Sequence, residues 1–245
     1  MNRELAPVEF SVVMPCLNEE KTLETCIVKT QAFFEKCKIN YEIVVADNGS
    51  SDRSCEIARR CGTRLVHVAE KGYGNALRKG IENSSGTYVI MGDSDDSYDF
   101  SDLTPFVKQL RAGHQLVMGN RFKGKIFPGA MPWHHRYIGN PVLSAIGRLL
   151  FTRRIGDFHC GLRGFSREMY RRIHPRSEGM EFASELVIKA ALSGADLCEV
   201  PVVLRPDGRG RKPHLRSWSD GCRHLKLLVS SYLNKQEICK GFIHS

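Results

Sequence analysis

Strand-like and helix-like runs alternate through the first 120 residues, and this alternation limits the folds open to the chain. "FSVVMP" reads as a buried strand, followed by a helical stretch from about Glu19 to Lys38 with Leu23, Ile27 and Phe34 facing inward. "YEIVVAD" predicts a second strand, and "RSCEIARRC" a helix capped by Ser51 or Asp52 and ended by Gly62. "RLVHVA" is a third strand, "GNALRKGIEN" a helix and "TYVIMG" a fourth strand. A helix around Leu103–Arg111 and a fifth strand, "LVMGN", complete the series. Strands spaced by helices in this way predict an α/β fold, a mostly parallel sheet with helices on both faces. Such sheets bind ligands beyond the carboxyl ends of their strands. Asp47 and Asp93 each stand at such an end.

The second half is less regular. A Pro/Gly-rich loop, "PGAMPWHHRY", runs into an apolar helix from about Asn140 to Phe151, and a short segment "GLRGFSREMYRR" follows. Next come a helix "MEFASELVIKAALSG", a strand "LCEVPVVL" and a basic loop through Arg216. The helical run "DGCRHLKLLVSSYL" puts Leu225, Leu228, Val229 and Tyr232 on one face, the usual sign of either core packing or surface docking. With no repeat or linker, a single domain is expected, ligand-binding at the strand ends over about residues 8–122 and completed by about 123–235.

Composition narrows the class. At 245 residues, 42% hydrophobic and 26% charged, the chain can bury one sizeable core. No apolar run approaches the roughly 20 residues needed to span a bilayer, and "MNRELAPVEF" has no apolar signal core, so a cytoplasmic protein is expected. The nine cysteines form no C-x-x-C pair, which disfavours a zinc site of that kind and predicts free thiols. The net charge of +9 calls for an anionic partner: nucleic acid, acidic lipid or a phosphorylated substrate. No nucleic-acid motif is present and aromatic residues are not interleaved with the arginines, which argues against nucleic acid.

The acids of "GDSDDSYDF" decide more. Asp93-Ser94-Asp95 closes a buried strand, and a hard divalent cation such as Mg²⁺ or Mn²⁺ binds through carboxylates of this kind together with substrate phosphates. The alternative is a solvated loop. Glu19 and Glu20 in "MPCLNEE" suit the first turn of a helix on electrostatic grounds alone, or they border a nucleotide. Asn48-Gly49 is a turn signal. Gly72-x-Gly74 lacks the third glycine of a dinucleotide fingerprint and follows the third strand, so close packing or a sugar-nucleotide contact is expected there. His134, His135 and His159 match no metal spacing, and Trp133 and Phe127 read as loop anchors.

Taken in order, "MPCLNEE", "VVADNGSSD", "KGYGNALRKG", "MGDSDDSYDF", "MGNRF", "HCGLRGFSRE" and "ASELVIKA" resemble the inverting family-two glycosyltransferases. The nearest likeness is to the polyprenyl-phosphate glycosyltransferases of the dolichol-phosphate mannose synthase type, over roughly residues 8–232. The resemblance implies a GT-A fold, a UDP- or GDP-linked sugar donor and a divalent metal. It places Pro15, Asn18, Glu19, Asp47, Lys71, Asp93 and Ser94 around the nucleotide sugar, with Asp95 as the main metal ligand and Asp93 as a second candidate. Ser97 stands where the family often has Gln, which leaves the remaining ligand open. Arg121 and, more weakly, Arg136 fall near phosphates. Asp157 through Arg163 match an acceptor-side segment, so that Asp157 and Arg163 join Asp95 and Arg121 as candidate catalytic residues. "LRPDGRGRKPHLRS" matches a mobile basic loop, within which Arg205, Arg211 and Arg216 are favoured for phosphate.

The implied reaction fits the charge. Arginine forks neutralise phosphate oxygens, and an ionised lipid-phosphate acceptor needs no general base. A hydroxyl acceptor would need one, for which Asp157 and Glu181 are the candidates. The expected partners are therefore a nucleotide sugar, a polyprenyl phosphate and either a membrane surface or a separate membrane protein. Many members of the subfamily continue into membrane anchors, whereas "NKQEICKGFIHS" is polar, so peripheral attachment is expected. A nucleotidyltransferase would show a Gly-rich basic loop after the first strand, which "MPCLNEE" is not.

Overall fold

Strand β1 (Phe10–Cys16) shows why the sheet must be covered on both sides: six of its seven residues are buried, leaving no polar face for solvent. In the computed structural model, which describes residues 7–210 and 217–242, Val12 and Met14 enter one core and Val13 the other. The first core takes Leu23, Ile27 and Phe34 from α1 (Leu23–Cys37), Ile57 from α2 (Ser54–Arg60), and Phe106 and Leu110 from α4 (Thr104–Arg111). The second takes Leu77 and Ile81 from α3 (Tyr73–Glu82), Met169 from α6 (Arg167–Ile173), and Phe182 and Leu186 from α7 (Phe182–Leu192). Each such side chain, fully buried, contributes about 1.5–3 kcal/mol.

The remaining strands are β2 (Tyr41–Asp47), β3 (Arg64–His67), β4 (Tyr88–Met91), β5 (Leu116–Ile126), β6 (Arg163–Ser166) and β7 (Leu197–Leu204). They form one seven-stranded sheet in the order β3-β2-β1-β4-β6-β5-β7. All run parallel except β6, which is inserted antiparallel between β4 and β5. The expected mostly parallel α/β architecture is therefore present, with an extra strand where the sequence suggested only a short segment. Beyond β5 lie a π-helical turn (His135–Gly139) and α5 (Asn140–Leu150). Then β7 leads through a loop to α8 (Ser217–Leu233) and α9 (Lys235–Gly241).

Two details differ from expectation. α1 begins at Leu23, not Glu19. Asn18 adopts a left-handed backbone (φ 59°), and a turn in which the Thr22 and Leu23 amides donate to the Glu19 carbonyl leads into the helix. Of the two readings open for the apolar face of α8, exposure holds for most of it: Leu228 is buried, but Leu225, Val229 and Tyr232 are 43–50% exposed. Trp133, read as a loop anchor, is 67% exposed. Among the described residues no helix is long and apolar enough to cross a membrane, and the eight described cysteines are free.

Candidate active site

The carboxyl ends of β1, β2 and β4 meet because their register is shared: Cys16 pairs with Asp47, and Val13 with Met91. Ser94 Oγ donates to the Pro15 carbonyl at 2.7 Å and ties the β4 exit to β1. Asp47 is almost fully buried and accepts the Gly49 and Ser50 amides at 3.2 and 3.1 Å. Burial alone would raise its carboxyl, but these bonds, with those from the Ser50 and Cys55 side chains, hold it below the usual range. Asn18 Oδ1 accepts the Ser51 amide at 2.7 Å, which joins the β1 and β2 exits. Lys71 donates to the Asn48 carbonyl at 2.7 Å, bracing the same turn. Gly72 and Gly74 are packing residues: a Cβ on either would stand 2.3 or 2.2 Å from the carbonyl oxygens of Glu178 or Ser177.

Each acid of the 93–99 run has its own partner. Asp93 accepts the Tyr73 hydroxyl at 2.9 Å. Burial, and then the neighbouring Asp95 charge, pushes its carboxyl up to about 6. Asp96 pairs with Lys29 at 2.7 Å and Asp99 with Arg205 at 2.8 Å. Asp95 Oδ1 accepts the Ser97 amide and hydroxyl at 3.0 and 2.6 Å, while Oδ2 meets Arg209 Nη2 at 2.8 Å. Arg209 Nη1 reaches Glu19 Oε1 at 3.2 Å, so a single guanidinium bridges the exits of β1 and β4. Beside it lies a hollow of about 200 Å³ lined by Asn18, Glu19, Glu20, Lys21, Asp52 and Arg209. The run is thus no solvated loop. Asp95 and Glu19, nearly buried, already hold a cation between them.

The segment from Asp157 to Arg163 resolves into three separate tasks. Asp157 takes Arg121 in a two-pronged pair, with Nε and Nη2 at 2.7 and 2.8 Å, and accepts the Arg121 amide at 3.1 Å. Its carboxyl is held below the usual range: burial pushes upward, and the Arg121 charge and hydrogen bonds outweigh it. Gly161 leaves room for Asp93, whose Oδ2 would lie 2.5 Å from a Cβ there. Arg163 is wholly buried at the start of β6, where Nη1 donates to the Ala183 carbonyl at 2.6 Å and Nε and Nη2 to that of Cys160.

The structure therefore gathers Pro15, Asn18, Glu19, Asp47, Asp93, Ser94 and Asp95 at one sheet edge. Arg163 is directed into the fold, and Asp157 orients Arg121, not Arg163. Arg205 is engaged by Asp99 and lies 5.9 Å from the Phe127 ring. Arg136 sits over Tyr137 in the π-helical turn. Arg211 and Arg216 lie outside the described residues. Arg209, in the same basic loop, is the arginine that meets the acids and was not singled out. Its signal was the flanking Gly208 and Gly210, which mark a loop segment in close contact: a Cβ on Gly208 would stand 2.8 Å from Thr22 Cγ2.

The model of glycosyl transferase family 2 matches residues 11–173, from β1 through α6. The chain belongs to this family. The chain is 38% identical over 227 residues to the low-salt glycan biosynthesis hexosyltransferase Agl6 of Haloferax volcanii, covering 92% of the chain and 54% of that protein. It thus spans about half the length of that relative. It is 30% identical to the dolichyl-phosphate hexose transferase of the same organism, over 93% of the chain and 96% of the relative. Among solved structures, glucosyl-3-phosphoglycerate synthase from Mycobacterium tuberculosis, in complex with Mn²⁺ and UDP-glucose, superposes with a TM-score of 0.69. The sequence identity is 22%, over 91% of this chain and 78% of the other. That likeness shows the fold of the glycosyltransferase, which is the expected GT-A type.

Proposed function

We propose that the enzyme transfers a hexose from a UDP- or GDP-linked donor to a polyprenyl phosphate, with inversion and with the help of a divalent metal. The observation that carries this reading is the Asp95–Glu19 pair, two nearly buried carboxylates at adjoining strand exits that hold a cation between them. Such oxygen donors suit Mg²⁺ or Mn²⁺. Asp95 would hold the ion, with Asp93 as the second candidate, and a bound ion supplies charge neutralisation for a departing diphosphate. The Mn²⁺ and UDP-glucose of the glucosyl-3-phosphoglycerate synthase structure support a donor site of this kind. Pro15, Asn18, Asp47 and Ser94 would shape the nucleotide end.

In the transfer, an oxygen of the acceptor phosphate bonds to the anomeric carbon as the bond to the nucleotide diphosphate breaks on the opposite face. The electron pair leaves with the diphosphate. An ionised phosphate needs no base, and the Asp157 oxygens are already engaged by Arg121. The lipid acceptor draws support from the dolichyl-phosphate relative and from the surface of the π-helical turn, α5 and α8. Tyr137, Ile138, Val142, Leu149, Val229 and Leu233 are exposed there. No Asp or Glu occurs between Asp102 and Asp157, while Arg136, Arg148, Arg153 and Arg154 do. An apolar, basic surface suits an anionic bilayer.

The test is transfer from UDP- and GDP-hexoses, with Mn²⁺, to polyprenyl phosphate in vesicles or to a free sugar alcohol, alongside thermal shifts with each nucleotide. Product on the lipid phosphate is expected. Product only on the hydroxyl overturns the lipid acceptor. No product and no nucleotide-dependent stabilisation overturns the donor site.

A further inference from the structure

We infer that Arg209 is a resident counter-cation of the metal site, and that a divalent ion enters by displacing it. The inference rests on the reading of Asp95 as the metal ligand. Asp95 Oδ1 is occupied by the Ser97 amide and hydroxyl. Oδ2 is the oxygen turned to a cation, and Arg209 holds it at 2.8 Å. The same guanidinium stands 3.2 Å from Glu19 and 3.5 Å from Asp207. These side chains are only 6–24% exposed, so without a cation three carboxylates would face one another with little water to screen them. A guanidinium and a divalent ion on one carboxylate oxygen repel each other, which makes the two occupants exclusive.

The loop is built so that the side chain can leave while its backbone stays. Arg205 N donates to the Ser97 carbonyl at 2.8 Å and Gly208 N to the Asp95 carbonyl at 2.9 Å. Neither bond involves the Arg209 side chain. Gly210 follows in a left-handed conformation (φ 67°), and the hollow beside Glu20 and Lys21 gives the freed guanidinium somewhere to swing. Arg209 thus keeps the acids together when no metal is bound, and it weakens metal binding by the fraction of molecules in which it is in place.

Mn²⁺ titration by calorimetry, on nucleotide-free wild type and the variants Arg209→Met, Arg209→Lys, Lys21→Met and Asp95→Asn, tests this. If the bridge is closed in about nine molecules of ten, Arg209→Met binds Mn²⁺ about tenfold more tightly, and Mn²⁺ raises its melting temperature more than that of wild type. Arg209→Lys, which keeps the charge but cannot bridge both acids equally well, falls between. Lys21→Met, which removes a nearby charge without touching the bridge, stays within about twofold because exposed charges are screened. If Arg209→Met and Arg209→Lys both bind as wild type does while Asp95→Asn abolishes binding, the displacement is wrong and the metal site stands. Binding that survives Asp95→Asn, or none in any protein, overturns the metal site itself and the displacement with it.

Discussion

Arg121–Asp157 and Arg209–Asp95 are both arginine–carboxylate pairs removed from bulk water, yet their surroundings differ. Arg121 gives Asp157 three hydrogen bonds, one of them from its own amide, and the His159 amide adds a fourth at 3.3 Å. The two side chains are 9% and 0% exposed. Arg209 gives one hydrogen bond to each of two carboxylates, from a loop that borders an open hollow. The first pair is redundant and dry, and so it is part of the fold. The second is single-stranded in its bonding and reachable by solutes, and so it can be exchanged. Burial with several bonds makes a charge pair permanent, and burial with few makes it a place where another ion can compete.

Substitution on the two sides should therefore separate activity from stability. Asp95→Asn is expected to lower hexosyl transfer on the order of 10²–10³-fold, as loss of a group that stabilises developing charge does, while melting within a few degrees of wild type. Asp157→Ala is expected to do the reverse first. It leaves a buried guanidinium uncompensated and costs about 3–5 kcal/mol of stability, read by urea unfolding. Equal melting of Asp157→Ala and wild type would remove the contrast, as would full activity in Asp95→Asn.

How much of this was written in the one-dimensional pattern follows from the same physics. β1, β2 and β4 were legible because strands covered on both faces read as apolar runs, and Asp47 and Asp93 were legible as their ends. β6 was not, since its four residues are Arg163, Gly164, Phe165 and Ser166, and a buried arginine opening a strand contradicts the apolar signal. What makes it possible is partly tertiary: the Cys160 carbonyl lies only three residues back, but the Ala183 carbonyl that takes Nη1 comes from α7. The acids at the carboxyl ends of β1, β2 and β4 could be found from spacing and resemblance. Which arginine of a basic loop turns back to them could not, because Arg205 and Arg209 differ by where the loop is pinned, and the pins are backbone bonds to Ser97 and Asp95. Glu19 was expected in the first turn of a helix and lies ahead of α1, and nothing in "LNEE" announces that or the left-handed Asn18 before it.

The Arg121 side of the comparison carries a pH signature. His159 follows Asp157 by two residues, and its ring packs 4.8 Å from that of His224, with the Ser184 hydroxyl in contact with both. Its Nε2 is sealed from water and has no hydrogen-bond partner among the described residues. Burial, and then the His224 ring, holds its pKa well below the ordinary value. In the unfolded chain a histidine gains its proton near pH 6.5. The His159 contribution is thus fully present above that value and is lost as pH falls toward the folded pKa, by up to about 1.4 kcal/mol per pH unit. His159→Gln should flatten the fall in unfolding free energy between pH 7 and 5 relative to wild type. An unchanged slope would mean that the imidazole is already protonated in the fold.

Arg205 supplies the smallest effect and the sharpest control. It belongs to the same loop as Arg209 and also pairs with an aspartate of the 93–99 run, but the two side chains are 40% and 25% exposed. A partly exposed pair of this kind contributes about 0.2–1 kcal/mol and is weakened by salt. Arg205→Ala should therefore cost no more than that in urea unfolding, with the difference shrinking at high ionic strength, and should leave Mn²⁺ affinity unchanged. The reason lies in the main chain: the loop is anchored by the Arg205 and Gly208 amides, and both bonds survive the substitution. If Arg205→Ala instead tightened Mn²⁺ binding as much as Arg209→Met, the loop as a whole, and not the Arg209 guanidinium, would be what the metal displaces.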